Sequence, residues 1–421
     1  MDESVVTKKV SPRRRASKRQ QTHNLMLSFA FLLLVVIFAI INLCVKDKEY
    51  SNTENRSLAQ SPTLTLESLT DGTYFSGLTD HFSDQFFARD GWISLKLREE
   101  QLLGRKESGG VFICSKDYLM AAPETPNEDA LDDSIASIND FASRYPDTSM
   151  YMMLVPAAAN ILTEYLPNNA PVRDQPQDIQ DIGSALAPTI RLLDAATPLR
   201  EHKEEYIYYK TDHHWTSLGA YYTFRSAAQT LGLTVSTEYT PHTVTDSFEG
   251  TLSSKSGSHR TTDEIQVYEP VSSTIEYYAT YPDGEKSCSI YRSDCLEEKD
   301  KYTVFFGGNH SIVEIKTTAN NDKNLLLFKD SYANCFVQFL IPYYENIIMI
   351  DPRYYYDNVN AIMSNYGITD VLFLYSGDTF VTTTALKDVL SSGTQDASPI
   401  SDEESSTSDL DRTFDASLLE P

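Results

Sequence analysis

Cysteine is scarce in this chain of 421 residues: the five, at positions 44, 114, 288, 295 and 335, form no C-x-x-C and no metal-ligand spacing. That excludes a zinc-ribbon scaffold and a dithiol redox motif. Basic residues are thin as well. Of 35 Lys and Arg and 60 Asp and Glu, seven and two fall in residues 1–45, which leaves 28 and 58 beyond, a net charge of −30. A surface of that sign argues against nucleic acid as a partner. Internal repeats are absent, and no H-x-x-x-H cluster occurs. Cys288 and Cys295 are close enough in sequence to close a small disulfide loop in an oxidising exterior, which depends on their Cα separation.

What is present begins with Lys8, Lys9, Arg13, Arg14, Arg15, Lys18 and Arg19, followed by an apolar run from Leu25 to Val45. At about 1.5 Å per residue the run spans roughly 30 Å, the hydrocarbon thickness of a bilayer. It is longer than a signal-peptide core and lacks an A-x-A-like cleavage site before Lys46. The expectation is a retained single-pass transmembrane anchor at the plasma membrane, with residues 1–24 as a basic cytoplasmic segment, residues 25–45 in the bilayer and the remainder outside. Residues 46–83 read as a polar stalk leading into the domain. From residue 391 the composition turns to Ser, Asp, Glu and Thr, which predicts a disordered acidic tail over 391–421.

Between them, residues 84–390 alternate strand-like and helix-like pieces. Helical patterning starts near Asp84, with Phe86, Phe87, Trp92, Ile93, Leu95, Leu97 and Leu102 on one face. Strands are expected at 111–113, 151–155, 206–209, 265–268, 304–306, 325–328, 347–350 and 371–375, and helices at 178–195 and 217–231. Continuous apolar runs suit central parallel strands buried on both faces, and alternation with helices predicts an α/β domain with a mostly parallel sheet. The segment 246–294, rich in Ser, Thr and Gly, reads as an insertion.

The chemistry concentrates in Thr211-Asp212-His213-His214-Trp215. A serine hydroxyl needs a base to take its proton, and an imidazole serves when one nitrogen is held by a carboxylate. If Asp212 to His214 is extended, residues two apart share a face, which selects His214 as the base and points His213 away. The candidate nucleophile is Ser331, 117 positions later, where the run Leu325 to Phe328 ends in Lys329-Asp330-Ser331-Tyr332. Ligands gather outside the carboxyl ends of strands in such sheets. Three other readings remain open: Ser331 as the N-cap of a following helix, Asp212 as a cap near Thr216 or Ser217, and Asp212, His213 and His214 as metal ligands. Gly307-Gly308-Asn309 follows another expected strand, so Gly308, Asn309 and the N–H groups near Ser331 are oxyanion-hole candidates. Arg353, in Asp351-Pro352-Arg353-Tyr354, is placed to hold an anion, brace a carboxylate or form a structural ion pair. Tyr332, His213 and Trp215 complete the substrate-binding candidates.

These residues resemble the DHHW family of Gram-positive bacteria, named for the motif at 212–215 and related to the SGNH-hydrolase-like proteins of alginate acetylation. The resemblance runs from Glu54-Asn55-Arg56 to Tyr375, through Gly307-Gly308-Asn309, Lys329 to Asn334 and Asp351 to Tyr355. It implies a three-layer α/β/α SGNH-hydrolase-like sandwich and carries the Asp-x-His and Ser elements over to Asp212, His214 and Ser331, with His213 at the x position. The expected activity is that of an extracytoplasmic serine O-acyltransferase or esterase acting on a cell-surface polysaccharide, needing no cofactor and no metal, with a membrane-bound O-acyltransferase as a possible partner. The alternative is a non-catalytic glycan-binding or scaffolding component of envelope polysaccharide biosynthesis.

Overall fold

The apolar runs after residue 148 become strands whose alternate side chains enter two separate cores. The structure, a computed structural model, describes residues 18–51, 56–271 and 274–391. Most of the basic N-terminal residues, Glu54-Asn55 and the acidic segment from residue 392 lie outside the described residues. Packing divides the described residues into two compact units, 18–51 with 56–92, and 93–271 with 274–391.

In the first unit, α1 (Lys18–Cys44) holds a 25-residue apolar stretch, Gln20–Cys44, that is solvent-exposed and long enough to cross a membrane. Residues 46–83, read as a polar stalk, contain two helices, Leu66–Thr70 and Thr73–Asp84. The helical face expected from Phe86 to Leu102 starts only at Arg89, because Ala88 takes a positive φ of 55°. A left-handed non-glycine residue interrupts a helix.

The second unit is mixed α/β around a large, mostly parallel sheet of eight strands: β1 (Ser149–Val155), β2 (Ile190–Leu193), β3 (Tyr277–Thr280), β4 (Lys286–Ser287), β5 (Ile312–Thr317), β6 (Asn324–Lys329), β7 (Asn346–Ile350) and β8 (Asp370–Ser376). Their order is β4-β3-β5-β7-β6-β8-β1-β2. The pairs from β7 to β2 are parallel, and β5, β3 and β4 extend the sheet antiparallel. Successive strand side chains point to opposite faces. Tyr151, Met153, Leu325, Leu327 and Met349 therefore enter one core, while Met150, Met152, Leu326, Phe328 and Ile350 enter the other.

Helix α2 (Glu128–Arg144) covers the second core with Leu131, Ile135, Ile138, Phe141 and Ala142, a spacing that makes one apolar stripe. Asn127 starts it by accepting from the N–H of Ala130. Burying a side chain such as Phe141 is worth about 1.5–3 kcal/mol. The first core is roofed by α3 (Ser217–Ala227), through Ala220 and Phe224, and by short 3-10 turns between Ser331 and Tyr343.

Several short elements differ from expectation. The stretch 304–306 is no strand: a 3-10 turn occupies Lys301–Val304, and Phe305 makes a single bridge to Tyr291. Phe306, Gly307 and Gly308 all have positive φ, which extended backbone does not permit. Tyr206 to Tyr209 contributes only the bridge Tyr208 to Trp215. Ile265–Tyr268 belongs to an antiparallel ribbon, Tyr239–Phe248 with Asp263–Pro270, outside the main sheet. The helix expected over 178–195 stops at Ala185 and β2 begins at Ile190. Pro188 between them disfavours helical backbone at Ala187. Cys288 and Cys295 are not joined in a disulfide.

Candidate active site

Three parallel strands end close together and supply the polar residues of the site. At the end of β6, Asp330 accepts from the Tyr332 N–H with Oδ1 and from the Ser376 N–H, at the end of β8, with Oδ2, both at 2.9 Å. Asp330 is thus the cap of the 3-10 turn Ser331–Ala333, and Ser331 is its first residue. The hydroxyl is freed from capping. The Ser331 N–H has no acceptor among the described residues.

The Asp212 loop meets that turn. Residues 211–214 are bent, so the expected extended geometry is wrong, yet the pairing it selected is present by another route. Asp212 Oδ1 accepts from the His214 backbone N–H at 3.0 Å and from Nδ1 at 2.5 Å, an Asx-type closure over two residues. A carboxylate can only accept, so Nδ1 carries the proton and Nε2 is left as acceptor. His214 Nε2 lies 2.7 Å from Ser331 Oγ. Asp212 does not cap α3: Thr216 does, by accepting from the Gly219 N–H at 3.3 Å.

Aromatic groups lock the two loops together. Trp215 Nε1 donates to the Tyr332 carbonyl at 2.9 Å, and the Tyr332 hydroxyl donates to the His213 carbonyl. Both side chains are buried, which fits the structural reading of Trp215 that the sequence left open beside the substrate-facing one. Tyr302, which the sequence reading passed over, stacks on His214 with ring centroids 4.0 Å apart and 14° between planes. Its hydroxyl donates to the Ser331 carbonyl at 3.0 Å. The side chain of His213 is 44% exposed, with Nδ1 2.8 Å from Thr251 Oγ1 and its ring centroid 3.9 Å from that of His214.

The segment read as an insertion braces the carboxylate. Thr251 donates its N–H at 2.9 Å and its hydroxyl at 3.0 Å to Asp212 Oδ2. Buried Asp263 accepts from the N–H groups of Lys210 and Thr211 at 2.8 and 2.7 Å. Gly250 lies so close that a Cβ there would sit 2.2 Å from Asp212 Cβ. Burial raises the Asp212 carboxyl, but the two imidazoles and the Thr251 N–H outweigh it and hold it below the usual carboxylate range. Burial and the charge His213 can carry push His214 down from 6.5, against the pull of Asp212 and Asp330. A neutral, proton-accepting His214 is the result. No local sequence signal points to Thr251, which reaches Asp212 from 39 residues away, or to Asp263, which holds Thr211 from 52.

A second polar group lies beside the serine turn. Lys329 is 2% exposed, and its ammonium donates to Asn309 Oδ1 at 3.0 Å and Asn334 Oδ1 at 2.9 Å. Burial brings it down to about 8 despite Asp351. An ammonium only donates, so both amides must present oxygen to it. The Asn309 NH2 therefore points elsewhere. Gly308 does not offer its N–H, which donates to the Phe305 carbonyl at 3.3 Å. Arg353 forms the ion pair: Nε and Nη2 reach the two oxygens of buried Asp351 at 2.8 and 2.6 Å. Asp212, His213 and His214 bring ligand atoms within 4.8 Å of one another. Both Asp212 oxygens, however, already take hydrogen bonds from His214 and Thr251, so an ion would have to displace them.

The comparisons agree with this architecture. The family model described as DHHW protein matches residues 54–110 and 127–350. A DHHW family protein from Eubacterium siraeum is similar at 26% identity and a TM-score of 0.58, over 67% of this chain and 95% of that one. PatB1 of Bacillus cereus, in a structure with a sulfonyl adduct, is similar in fold at 20% identity and a TM-score of 0.55, over 66% and 98%. The O-acetyltransferase domain of Pseudomonas putida AlgJ overlaps more loosely, at 14% identity and a TM-score of 0.42 over 65% and 93%. The search of curated proteins gives no match.

Proposed function

The chain belongs to the DHHW protein family, and from that premise and the 2.7 Å contact between His214 Nε2 and Ser331 Oγ we propose a membrane-anchored, extracytoplasmic serine acyltransferase or esterase. Its substrates are O-acyl groups of a cell-surface polysaccharide, handled on an SGNH-hydrolase-like scaffold. Ser331 Oγ attacks the acyl carbonyl while His214 Nε2 takes its proton, and Asp212 holds the imidazole and stabilises the imidazolium. The tetrahedral oxyanion is met by the Ser331 N–H and the Asn309 NH2. Collapse expels the donor alcohol, protonated by His214, and leaves an acyl ester on Ser331. A sugar hydroxyl or water then attacks that ester with His214 as base, and serine is regenerated.

The basic residues before α1 favour a cytoplasmic N-terminus, with the domain outside. A transferase there needs acyl groups exported to it, which makes a membrane-bound O-acyltransferase the fitting partner. Purified protein given p-nitrophenyl acetate should release the phenol and carry acetyl on Ser331, detectable by mass spectrometry. Ser331→Ala should abolish both, and the same variant should resist labelling by a sulfonyl fluoride. Equal turnover by Ser331→Ala would eliminate the serine mechanism, and glycan binding without any acyl-enzyme would favour a binding component.

A further inference from the structure

A cavity of about 410 Å³ lies at the C-terminal end of the helix Arg89–Leu102, lined by Gln101, Arg105, Lys106, Ser115, Tyr165 and Arg260 among others, with no carboxylate in its wall. The volume suits a sugar-sized guest. Three cations around one cavity stand out in a chain whose residues after 45 carry a net charge of −30. Their charges are poorly matched. Arg105 reaches only Glu100, at 3.9 Å, and Glu100 is shared with Lys96 at 3.8 Å. Lys106 and Arg260 have no ion-pair partner among the described residues.

Gln101 sharpens the picture. Arg260 Nη2 donates to Gln101 Oε1 at 2.5 Å, and because a guanidinium only donates, the amide orientation is fixed. Gln101 Nε2 is then a buried donor with no acceptor. Leaving a buried donor unpaired is unfavourable, so the residues lining the cavity combine an unsatisfied donor with three cations and no carboxylate. We infer that this cavity binds an oxyanion carried on a sugar, a carboxylate or a phosphate, and holds an acidic polysaccharide by it. The choice of a sugar rests on the polysaccharide reading above, whereas the anion preference rests on the cavity alone.

The test is calorimetric titration of the full-length protein in detergent at low salt with glucuronic acid, glucose 1-phosphate and glucose, up to about 20 mM, which covers millimolar binding. At least one acidic sugar should bind, glucose at least about tenfold more weakly, and the stronger acidic arm identifies carboxylate or phosphate as the source. Lys106→Gln and Arg260→Gln should each weaken it by about tenfold, the scale of one charge-assisted hydrogen bond. Lys106 is exposed and unpaired, so its variant reads out binding without a folding penalty. Sulfonyl fluoride labelling of Ser331 should be unchanged in both, which separates failure of this site from failure of the acyl mechanism. No binding by either acidic sugar, equal binding of glucose, or indifference to both variants overturns the inference.

Discussion

At the residue scale, the behaviour of His214 follows from what touches it. Catalysis needs the neutral ring, and burial with His213 lowers its affinity for a proton. The acid limb of kcat/KM should therefore have its midpoint below the ordinary 6.5, and activity falls only as pH drops through that lowered value. His213→Gln removes a repulsive neighbour, so the limb should move to higher pH. A pH profile of ester turnover checks both signs. Asp212→Asn keeps the shape but loses the acceptor that fixes the Nδ1 proton, and kcat should fall by about 10⁴-fold. Lys329→Met releases the amide of Asn309. A loss of about 10²-fold in kcat with little change in KM is expected if that amide meets the oxyanion; steady-state kinetics alongside a melting curve decides. Asp212 and His214 were legible because their bond closes over two residues. Tyr302 and Lys329 were not, since a ring stacked on His214 from 88 residues away and an ammonium between two amides leave no local pattern.

At the element scale, the long apolar runs were readable and the short ones were not. Asp370–Ser376 and Asn324–Lys329 are buried on both faces, so their sequences admit few other environments. Three apolar residues at 304–306 fit a turn as well as a strand, and the 3-10 turn through Val304 with positive φ from Phe306 to Gly308 settles it as a turn. β5 alternates buried and half-buried positions, a weaker signal than a continuous run, and was missed. The segment 246–294 reads as an insertion from its Ser, Thr and Gly composition, which carries no sign of its contacts to the site. Its Thr251–Ser256 helix instead starts on the Asp212 carboxylate. Gly250→Ala would force a methyl against Asp212. The loop must shift by more than an ångström, and misplacement on that scale costs about 10²-fold in rate. Comparing kcat with the thermal midpoint should show activity falling well before the fold does. Thr251→Ala removes one hydrogen bond to a charged group, and a tenfold smaller kcat is the expected order.

At the scale of the molecule, the candidate membrane span and the candidate site draw on different residues. The apolar stretch Gln20–Cys44 is exposed, whereas the residues beyond 45 carry a net charge of −30. An acidic domain is repelled by an anionic lipid surface rather than drawn to it, and salt weakens that repulsion. The domain therefore contributes no electrostatic attachment that high salt or alkaline carbonate could strip, and an inserted helix is effectively irreversible even after salt screens the basic residues before it. The full chain should stay with the membrane pellet through both washes, and detergent alone should release it. A chain beginning at Lys46 keeps Asp212, His214 and Ser331 with all their described partners, none of which comes from α1. It should appear in the soluble fraction and acylate Ser331 with p-nitrophenyl acetate at the rate of the detergent-solubilised protein. Release of the full chain by salt would mean that α1 does not span the bilayer, and loss of acylation in the truncated chain would mean that residues before 46 support the site.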